Sequence, residues 1–377
     1  GNLTVSEQPA PADAFIIAVP TPFKAAVSGQ QSGASYPAAD LSYVIAAAEA
    51  IVPHLRPGNL VILEATSPPR TTVDVVAPIL ERSGLKAGAD FHLAYSPERV
   101  LPGQILRELI ENARVIGGID RASAEAGRDL YATFVRGEIF LTDATTAEMV
   151  KLMENTYRDV NIAIANEFSR LADRFGVDVW QAIALANRHP RVNILRPGPG
   201  VGGHCISVDP WFFVEAAPDL TPLIYTARQV NDGQPRFVVE LTRRALGDLT
   251  DKRIAALGLA YKPDVDDLRE SPAIEVCHLL QAEGARVKAY EPYKTDAALD
   301  GLTLVPTLDA ALEDADVLLL LVGHKPFKAL TPSEVAARTP ARHIVDTVNL
   351  WDDSTPWEAA GFRLYRLGVG SQTPSGD

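Results

Sequence analysis

A glycine-rich run leads into Cys205, one of only two cysteines in this 377-residue chain, in the stretch PGPGVGGHCISVDP. The glycines at positions 198, 200, 202 and 203 carry no β-carbon, so that backbone and ligand can come close together there. A lone cysteine is usually a small buried hydrophobe, and the apolar stretch AIEVCHLLQA favours that interpretation for Cys277. Cys205 instead lies where a substrate could reach its thiol, and we therefore predict that it is a nucleophile.

Polar side chains recur along one face of a predicted helix in EMVKLMENTYRDVNIAIANE. Lys151 and Asn155 are spaced i, i+4 and therefore share a face, and Arg158 extends this polar row. Such a row is either a solvated helix surface or a cation and an amide directed together at developing negative charge. The spacing by itself leaves both interpretations open.

Charged residues also stand at two places where ligands commonly bind. Glu98 and Arg99 follow a predicted strand in YSPERVLPG, at the edge where open α/β sheets bind ligands. A basic cluster in RHPRVNILRPGPG indicates either phosphate recognition or scattered surface charge in an acidic chain. The members of this cluster are Arg188, His189, Arg191 and Arg196.

The segment GLAYKPDVDDLRESP mixes basic and acidic residues between a predicted strand and a predicted helix. Lys262 and Arg269 are its candidate ligand-binding side chains. Asp264, Asp266 and Asp267 lack both the glycine at loop position six and the final glutamate of an EF-hand loop. We therefore predict no metal site.

The elements that must position these residues fall into three parts, predicted as 1–143, 144–246 and 247–377. Short apolar runs alternate with helical patterns in the first and last parts, which predicts parallel sheets with crossover helices. Strands are predicted within 14–22, 60–66, 91–97 and 113–119, and later within 252–261, 285–293, 315–324 and 343–348. Helices are predicted within 38–55, 71–84 and 271–284, with Asp40 as N-cap of the first, and a polar loop is predicted at 28–37.

The middle part is predicted to be helical. Its helices span 146–176, with Gly176 as a natural stop, then 178–187, and then 222–246. A dinucleotide-binding sheet begins with a strand, the pattern G-x-G-x-x-G and a helix, whereas GPGVGGHC follows a helical pattern. We therefore expect the first sheet to lack a leading βαβ portion of about 60 residues.

Composition excludes several classes of protein. The net charge of −13 argues against a general nucleic-acid or anionic-membrane binder. No apolar run reaches the ~18–20 residues that span a bilayer. Two cysteines cannot form a disulfide framework, so a cytoplasmic setting is expected.

Three separated motifs resemble, in this order, the UDP-glucose/GDP-mannose dehydrogenase family: EMVKLMENTYRDVNIAIANE, GPGVGGHCISVDP and GLAYKPDVDDLRESP. The resemblance covers nearly the whole chain. SPERVLPG and NRHPRVNILRPGPGVGGHC resemble the branch that oxidises UDP-N-acetyl-D-mannosamine, and Val208 stands where UDP-glucose members carry lysine. The implied fold is α/β, with two Rossmann-like parallel-sheet domains joined by a helical connector. The first domain would bind NAD and the last the UDP-sugar.

The resemblance implies a four-electron oxidation of the sugar C6 alcohol to a carboxylate, with two NAD⁺ reduced. It implies that Cys205 forms a thiohemiacetal and then a thioester, which water hydrolyses. Lys151 and Asn155 would stabilise the C6 oxyanion. The implied roles in hydrolysis are water binding for Asp209 and Thr66 and base catalysis for Glu98.

Further contacts are implied in the same way. The implied substrate-binding residues are Arg99, Val100, Lys151, Asn155, Arg158, His189, Arg191, Gly202, Tyr261 and Lys262. The implied NAD contacts are Thr21, Thr66 and Arg269. The long connector helix would serve as the surface of a homodimer. Two alternatives stay open: a UDP-N-acetylglucosamine or UDP-glucose 6-dehydrogenase, and a truncated, non-catalytic UDP-sugar-binding chain.

Overall fold

The computed structural model describes residues 3–28, 35–100, 104–203 and 205–370. The chain forms two compact units, of which the first comprises Gly1–Thr156 and Asp209–Pro222 and the second Tyr157–Val208 and Leu223–Asp377. The described helices and strands are as follows.

In chain order, the strands are β1 (Ala14–Ile17), β2 (Phe23–Ser28), β3 (Ser35–Ala39), β4 (Leu60–Leu63), β5 (His92–Tyr95), β6 (Arg114–Gly118), β7 (Ile139–Asp143), β8 (Arg253–Leu257), β9 (Arg286–Tyr290), β10 (Thr303–Leu304), β11 (Val317–Leu320), β12 (His343–Asp346) and β13 (Arg363–Arg366). The α-helices are α1 (Ser42–Ile51), α2 (Ala77–Leu80), α3 (Ile105–Glu111), α4 (Arg121–Tyr131), α5 (Ala144–Phe175), α6 (Val179–Ala186), α7 (Asp209–Ala216), α8 (Pro222–Asp232), α9 (Gln234–Leu246), α10 (Pro272–Ala282), α11 (Leu308–Leu312), α12 (Lys325–Lys328), α13 (Pro332–Arg338) and α14 (Thr355–Ala359). Short 3₁₀ or π turns occupy Val52–His54, Thr72–Val76 and Glu81–Ser83.

The first unit is built on a five-stranded sheet in the order β1-β4-β5-β6-β7. Strand β4 has the sequence LVIL and is buried along its whole length, as expected for a strand covered on both faces. Helix α1 packs on this sheet through Val44, Ala48 and Ile51, whose spacing places them on one helix face. The carboxyl ends of β1, β4 and β5 therefore lie side by side at one edge.

One pairing in this sheet corrects the prediction of parallel strands throughout. Strands β5 and β6 are antiparallel, with Ala94 opposite Gly118, whereas the other neighbours in the sheet are parallel. A parallel connection needs a crossover helix packed on the sheet. Helix α3, which follows β5 and precedes β6 in the chain, has no buried residue and therefore is not such a crossover helix.

Two local predictions in the first unit are also corrected. The helix predicted within 38–55 has Leu41, and not Asp40, at its N-cap position. Asp40 lies one residue before the N-cap, and its side chain accepts from Ser42 N at 3.0 Å. The loop predicted at 28–37 overlaps the antiparallel pair of β2 and β3, which joins Phe23 to Ala39. Residues 29–34 lie outside the described residues.

The second unit contains a six-stranded sheet in the order β10-β9-β8-β11-β12-β13, and every neighbouring pair in it is parallel. This is the strand order of a doubly wound nucleotide-binding sheet. The four late strands that the sequence predicts are confirmed, while the two edge strands β10 and β13 were not predicted. Edge strands are short and only half covered, so their apolar signal is weak.

The helical middle of the chain is confirmed, with one break. Helix α5 ends where Gly176 adopts φ +68°, and Asp178 caps α6 by accepting from Trp180 N and Gln181 N. The single helix predicted over 222–246 is wrong, because α8 and α9 are separated at Gly233. Pro235 has no N–H for an intrahelical bond, and its ring excludes the preceding turn of a continuous helix.

Within the described ranges, none of the helices has both the length and the apolar character that crossing a membrane requires.

Candidate active site

A cation, an amide and a carboxylate are buried together in the first unit. Lys151 and Asn155 lie one turn apart on α5, and Asp209 is the first residue of α7. Their exposed fractions are 7%, 8% and 1%, and Asn155 Nδ2 donates to Asp209 Oδ2 at 2.5 Å. The solvated-surface interpretation is therefore wrong for Lys151 and Asn155. Arg158 is exposed on the same helix, so both interpretations stay open for this residue.

Burial changes the acidity of this cluster. Desolvation raises the pKa of Asp209 from 3.8 to about 6, although the charge of Lys151 and the hydrogen bond from Asn155 both lower it. A carboxyl group with this pKa can exchange a proton near neutral pH. The cluster thus combines hydrogen-bond donors for an oxyanion with an acceptor for water.

Glu98 is held after β5 by a buried arginine that the sequence analysis missed. Arg114 Nη2 donates to Glu98 Oε2 at 3.0 Å, and Glu98 Oε1 accepts from the backbone N–H groups of Arg99 at 2.6 Å and Val100 at 3.1 Å. Arg114 also donates to Glu64 Oε1 at 3.3 Å, so one guanidinium serves two carboxylates. A charged residue at the start of the apolar run ARVIGGI was the available signal.

Arg99 and Val100 lie beside Glu98 at a small pocket, and their roles in substrate binding stay predictions. Arg99 Nη1 bonds Glu154 Oε1 at 2.6 Å, and its other terminal nitrogen donates to the carbonyl of Ala113. The pocket is lined by residues 97–100, 108–109 and 112–114. Residues 101–103 lie outside the described residues.

Thr21 and Thr66 follow β1 and β4, and the hydroxyl of Thr21 donates to the Thr66 carbonyl at 2.6 Å. At the same edge, the buried Ser67 Oγ and Tyr95 hydroxyl have no hydrogen-bond partner among the described residues. Buried polar atoms are normally satisfied, so two orphaned hydroxyls indicate a place where a ligand or water binds. The carboxyl edge of a parallel sheet is where such sheets hold dinucleotides, and the residues present therefore fit NAD.

Glu148 is a second buried group that the sequence analysis missed. Its carboxylate accepts from Arg70 N at 2.5 Å, Thr72 N at 2.7 Å and Thr72 Oγ1 at 2.6 Å, and it is fully buried. Arg70 has φ +75°, so this carboxylate stabilises an unfavourable backbone conformation. Glu148 thereby fixes the segment that follows Thr66, and its i, i+3 spacing from Lys151 was the available signal.

In the second unit, Cys205 begins a turn over 205–208 and is half-buried. Both glycines before it are required by close packing. At Gly203, which has φ +83°, a β-carbon would lie 2.9 Å from the ring of Tyr261. At Gly202 it would collide with the backbone carbonyl of Glu270. The neighbouring His204 lies outside the described residues.

The other cysteine has the opposite environment. Cys277 lies fully buried in α10, and burial raises the pKa of its thiol to about 12. Neither cysteine takes part in a disulfide. The thiolate is the reactive form, so Cys277 is inert and the prediction that it is a core residue is confirmed.

Tyr261, Lys262 and Arg269 belong to the loop that follows β8. Lys262 Nζ lies 5.5 Å from the centroid of the Tyr261 ring. The pKa of Arg269 is raised, first by its hydrogen bond to Asp267 and to a smaller degree by the charges of Tyr261 and Cys205. The predicted contact of Arg269 with NAD stays a prediction.

His189 and Arg191 are exposed in the segment after α6, where His189 Nδ1 accepts from Arg191 N at 3.3 Å. Their roles in binding stay predictions, as does that of Arg158. Among the described residues, no group of three or more histidine, cysteine, aspartate or glutamate side chains is arranged to hold a metal.

The first sheet is largely parallel and has two buried hydroxyls without a partner among the described residues at its carboxyl edge, and the second sheet has the doubly wound strand order, so the fold is that of a nucleotide-binding α/β protein. Family models match three successive parts: an NAD binding domain at 1–135, a central domain at 145–233 and a UDP binding domain at 255–353. The chain belongs to the UDP-glucose/GDP-mannose dehydrogenase family. It is an NAD-dependent UDP-sugar dehydrogenase, which confirms the predicted family, enzyme class, fold class and cofactor.

Several relatives are similar over most of the chain. A UDP-N-acetyl-D-mannosamine dehydrogenase from Methanocaldococcus jannaschii is 48% identical over 373 residues, covering 98% of this chain and 83% of the relative. An NDP-N-acetyl-D-galactosaminuronic acid dehydrogenase from Ralstonia solanacearum is 46% identical over 361 residues, covering 93% of this chain and 82% of the relative. The solved structure of a UDP-D-ManNAc dehydrogenase from Pyrococcus horikoshii matches with a TM-score of 0.85 at 41% identity, covering 95% of this chain and 82% of that one.

Proposed function

We propose that the chain oxidises UDP-N-acetyl-D-mannosamine at C6 to UDP-N-acetyl-D-mannosaminuronate and reduces two NAD⁺ for each sugar. The observation that carries the chemistry is the buried cluster of Lys151, Asn155 and Asp209, which unites donors for an oxyanion with a carboxylate of raised pKa. The sugar is supported by the 48% identity to the Methanocaldococcus jannaschii relative. The predicted domains at 1–143, 144–246 and 247–377 are proposed with it.

The cofactor and the first oxidation engage residues of the first unit. Thr21 and Thr66 would hold NAD, which when bound would supply the hydride acceptor for each oxidation. The C6 hydroxyl releases its proton to a water held by Asp209 and Thr66 as the hydride leaves the carbon. The ammonium of Lys151 and the amide of Asn155 donate to the C6 oxygen as negative charge develops there. Preorganised donors of this kind stabilise an oxyanion strongly when they are shielded from water, and both side chains are buried.

Cys205 makes the second oxidation possible. Its thiolate adds to the aldehyde carbon and forms a C–S bond, and the carbonyl electron pair moves to the oxygen held by Lys151 and Asn155. The resulting thiohemiacetal still carries a hydride on C6, and loss of that hydride leaves a thioester.

Hydrolysis completes the reaction. A water held by Asp209 and Thr66 loses a proton to Glu98 and attacks the thioester carbon. The C–S bond then breaks, which releases the carboxylate and returns the thiolate of Cys205. Arg114 and two backbone N–H groups hold the carboxylate of Glu98 in one orientation, which supports its proposed role as base.

The decisive experiment replaces the nucleophile. The wild-type chain should release two NADH for each UDP-N-acetyl-D-mannosamine, and Cys205→Ser should lose steady-state turnover by at least ~10³-fold, the scale for removing a catalytic nucleophile. Cys277→Ser is the matched control and should keep near-normal turnover. Near-normal turnover of Cys205→Ser would remove this thiol from the mechanism. No NADH release by the wild type would favour a non-catalytic, UDP-sugar-binding chain.

A second sugar is favoured by one observation. The Ralstonia solanacearum relative, at 46% identity, is described as acting on an N-acetyl-D-galactosaminuronic acid nucleotide. N-acetylmannosamine and N-acetylgalactosamine differ in the direction of the C2 amide and of the C4 hydroxyl, and the shape of the pocket decides between them. Comparing kcat/KM for UDP-N-acetyl-D-mannosamine, UDP-N-acetyl-D-galactosamine, UDP-N-acetylglucosamine and UDP-glucose tests the assignment, and a higher value for any of the last three would replace it.

We also propose that the chain acts as a homodimer in the reducing cytoplasm. Exposed apolar side chains recur along α5 at helical spacing, and an exposed stripe of this kind commonly marks an interface. They are Met149, Met153, Tyr157, Ile164, Phe168, Leu171 and Phe175. A nucleophilic thiol such as the one proposed for Cys205 also requires a setting in which cysteines stay reduced.

A further inference from the structure

We propose that a buried acid–histidine pair, Glu291 and His324, positions the loop over 258–264 so that Tyr261 and Lys262 can bind the UDP-sugar. Both members of the pair are fully buried in the second unit. The inference rests on the proposed function and on the substrate-binding roles that the family resemblance implies for Tyr261 and Lys262. It adds two positioning residues that touch neither substrate nor cofactor.

The carboxylate of Glu291 holds the first half of this loop. Its Oε2 accepts from Leu259 N at 2.7 Å and Ala260 N at 3.0 Å, and His324 Nε2 lies 3.0 Å from the same oxygen. Its Oε1 accepts from Tyr293 N at 3.0 Å. The pKa of Glu291 is lowered, because the hydrogen bonds from His324 and from the backbone outweigh the effect of burial.

The imidazole of His324 holds the other end of the loop. Asp264 N donates to His324 Nδ1 at 2.9 Å, which assigns the ring proton to Nε2 and directs it at Glu291. One buried pair therefore binds backbone N–H groups at both ends of the segment, at 259–260 and at 264. Tyr261 and Lys262 lie between these two attachments.

The backbone of the loop needs such support. Gly258 has φ +88° at its start, and Asp264 has φ +62° at its end, a conformation that non-glycine residues adopt only when their surroundings impose it. The Asp264 side chain accepts from Lys325 N at 2.9 Å and from the Tyr293 hydroxyl at 3.0 Å. These two donors follow His324 and Glu291 closely in the chain, so the pair and its flanking residues act on one turn.

The loop in turn supports the glycine run before Cys205. A β-carbon on Gly203 would lie only 2.9 Å from the ring of Tyr261, and a β-carbon on Gly202 would lie 3.1 Å from the Cβ of Tyr261. Tyr261 N donates to Asp267 O at 3.1 Å, and this hydrogen bond holds the backbone from which the Tyr261 side chain extends. A shift of the loop would thus move Tyr261 against the segment that carries the proposed nucleophile.

The position of Glu291 has another common use, which the structure excludes. In a doubly wound sheet, an acid at the end of the second strand usually binds the ribose hydroxyls of a dinucleotide. Glu291 directly follows β9, the second strand of this sheet, but it is fully buried and both of its oxygens already accept from protein donors. Its carboxylate is therefore a support for the loop and not a ribose ligand.

The test measures the binding of UDP alone by calorimetry, and then the KM values. His324→Asn preserves an acceptor for Asp264 N, and His324→Gln preserves a donor for Glu291, so each variant breaks one attachment. We expect either variant to raise the Kd for UDP and the KM for the UDP-sugar at least tenfold, with the KM for NAD unchanged. His343→Gln is the matched control, since His343 lies in β12 of the same sheet and its Nδ1 has no hydrogen-bond partner in the described part of the chain.

The outcomes separate this inference from the proposed function. An unchanged Kd for UDP in both His324 variants, with a raised Kd in Lys262→Ala, overturns the positioning role and leaves the site intact. An unchanged Kd in Lys262→Ala removes the substrate-binding assignment itself. Equal increases in both KM values, or in His343→Gln as well, would mean a general loss of structure and would also overturn the inference.

A measurement on the wild-type chain does not depend on the folding of any variant. Since a ligand that binds only the folded loop disfavours its local opening, UDP should slow hydrogen exchange at the amides of Leu259, Ala260 and Asp264. We expect at least tenfold slower exchange at all three in the presence of saturating UDP. Unchanged exchange at these amides, alongside protection elsewhere in the second unit, would contradict the proposal.

Discussion

At the scale of single residues, the chemistry of this chain depends on burial more than on residue type. Lys151 and Asn155 are ordinary helix-surface residues by composition, but both are buried against Asp209. Burial raises the pKa of Asp209 to about 6, while Cys277, with a thiol identical to that of Cys205, is made inert by the same effect. Environment therefore decides which of two equal groups can react.

The raised pKa of Asp209 predicts a pH dependence. If the ionised form holds the hydrolytic water, turnover should fall roughly tenfold for each pH unit below about 6, because the carboxylate becomes protonated as the pH falls through its pKa. An ordinary aspartate, with a pKa near 3.8, would leave this range flat. The measurement is kcat between pH 4.5 and 8.

Asp143→Asn serves as the control for this profile. Asp143 precedes α5 and is exposed, and the hydrogen bonds from Thr146 lower its pKa. Replacing Asp143 should change neither the turnover nor its fall at acidic pH. Asp209→Asn should reduce turnover at every pH and should remove the fall at acidic pH. A wild-type profile without a fall near 6 would mean that Asp209 has no part in the rate-limiting chemistry.

At the scale of elements, the glycine run before Cys205 shows how backbone packing creates a site. A β-carbon at Gly202 would collide with the Glu270 carbonyl and with the Pro272 ring, while a β-carbon at Gly198 would meet nothing within 4 Å. A backbone carbonyl cannot yield as a flexible side chain can. Within these five residues, close packing therefore excludes a side chain at Gly202 but leaves room for one at Gly198.

This contrast predicts different outcomes for two identical substitutions. Gly202→Ala should destabilise the chain by roughly 1–3 kcal/mol, as overpacking does, and should raise the KM for the UDP-sugar at least tenfold. Gly198→Ala should leave stability and KM close to wild type, since the added methyl group enters open space. Thermal unfolding and steady-state kinetics check both, and equal behaviour of the two variants would contradict the packing argument.

At the scale of the whole molecule, the exposed apolar stripe on α5 predicts self-association. Phe168, of which 40% is exposed, lies within this stripe. Phe168→Asp places a charge in the proposed interface and should raise the dimer Kd at least ~100-fold, because an unpaired charge is costly to bury. Sedimentation equilibrium measures the change.

The control for this experiment is its neighbour on the same helix. Glu167 is exposed next to Phe168, and Glu167→Gln should keep the wild-type oligomeric state. A monomeric wild-type chain would refute the dimer at once. So would a Phe168→Asp variant that sediments with the same mass as the wild type.

Much of this architecture was readable in the amino-acid sequence, for one physical reason. Buried strands such as LVIL in β4 and VLLL in β11 are short continuous apolar runs, and helices such as α5 carry a long periodic pattern with a terminal glycine. These patterns lie within a short stretch of sequence, so helices and strands can be predicted from them without knowledge of the fold. The glycine run also distinguished Cys205 as a candidate nucleophile, because a cysteine in the core does not need glycines before it.

The sequence failed where the deciding partner is distant in the chain. The antiparallel pairing of β5 with β6 depends on what covers the sheet, and the break between α8 and α9 depends on one proline outweighing a continuous helical pattern. Arg114, Glu148 and the Glu291–His324 pair were missed because their partners lie 16 to 78 residues away.

The sequence by itself therefore determined the classes of element, the two sheets and the chemical types available at the candidate site. Only the tertiary structure decided which polar residues are desolvated, and hence that Lys151 and Asn155 are buried while Arg158 is exposed on the same helix. Periodicity reports which residues share a face, but burial depends on what packs there. Since desolvation sets pKa and hydrogen-bond strength, reactivity follows from packing that no local pattern encodes.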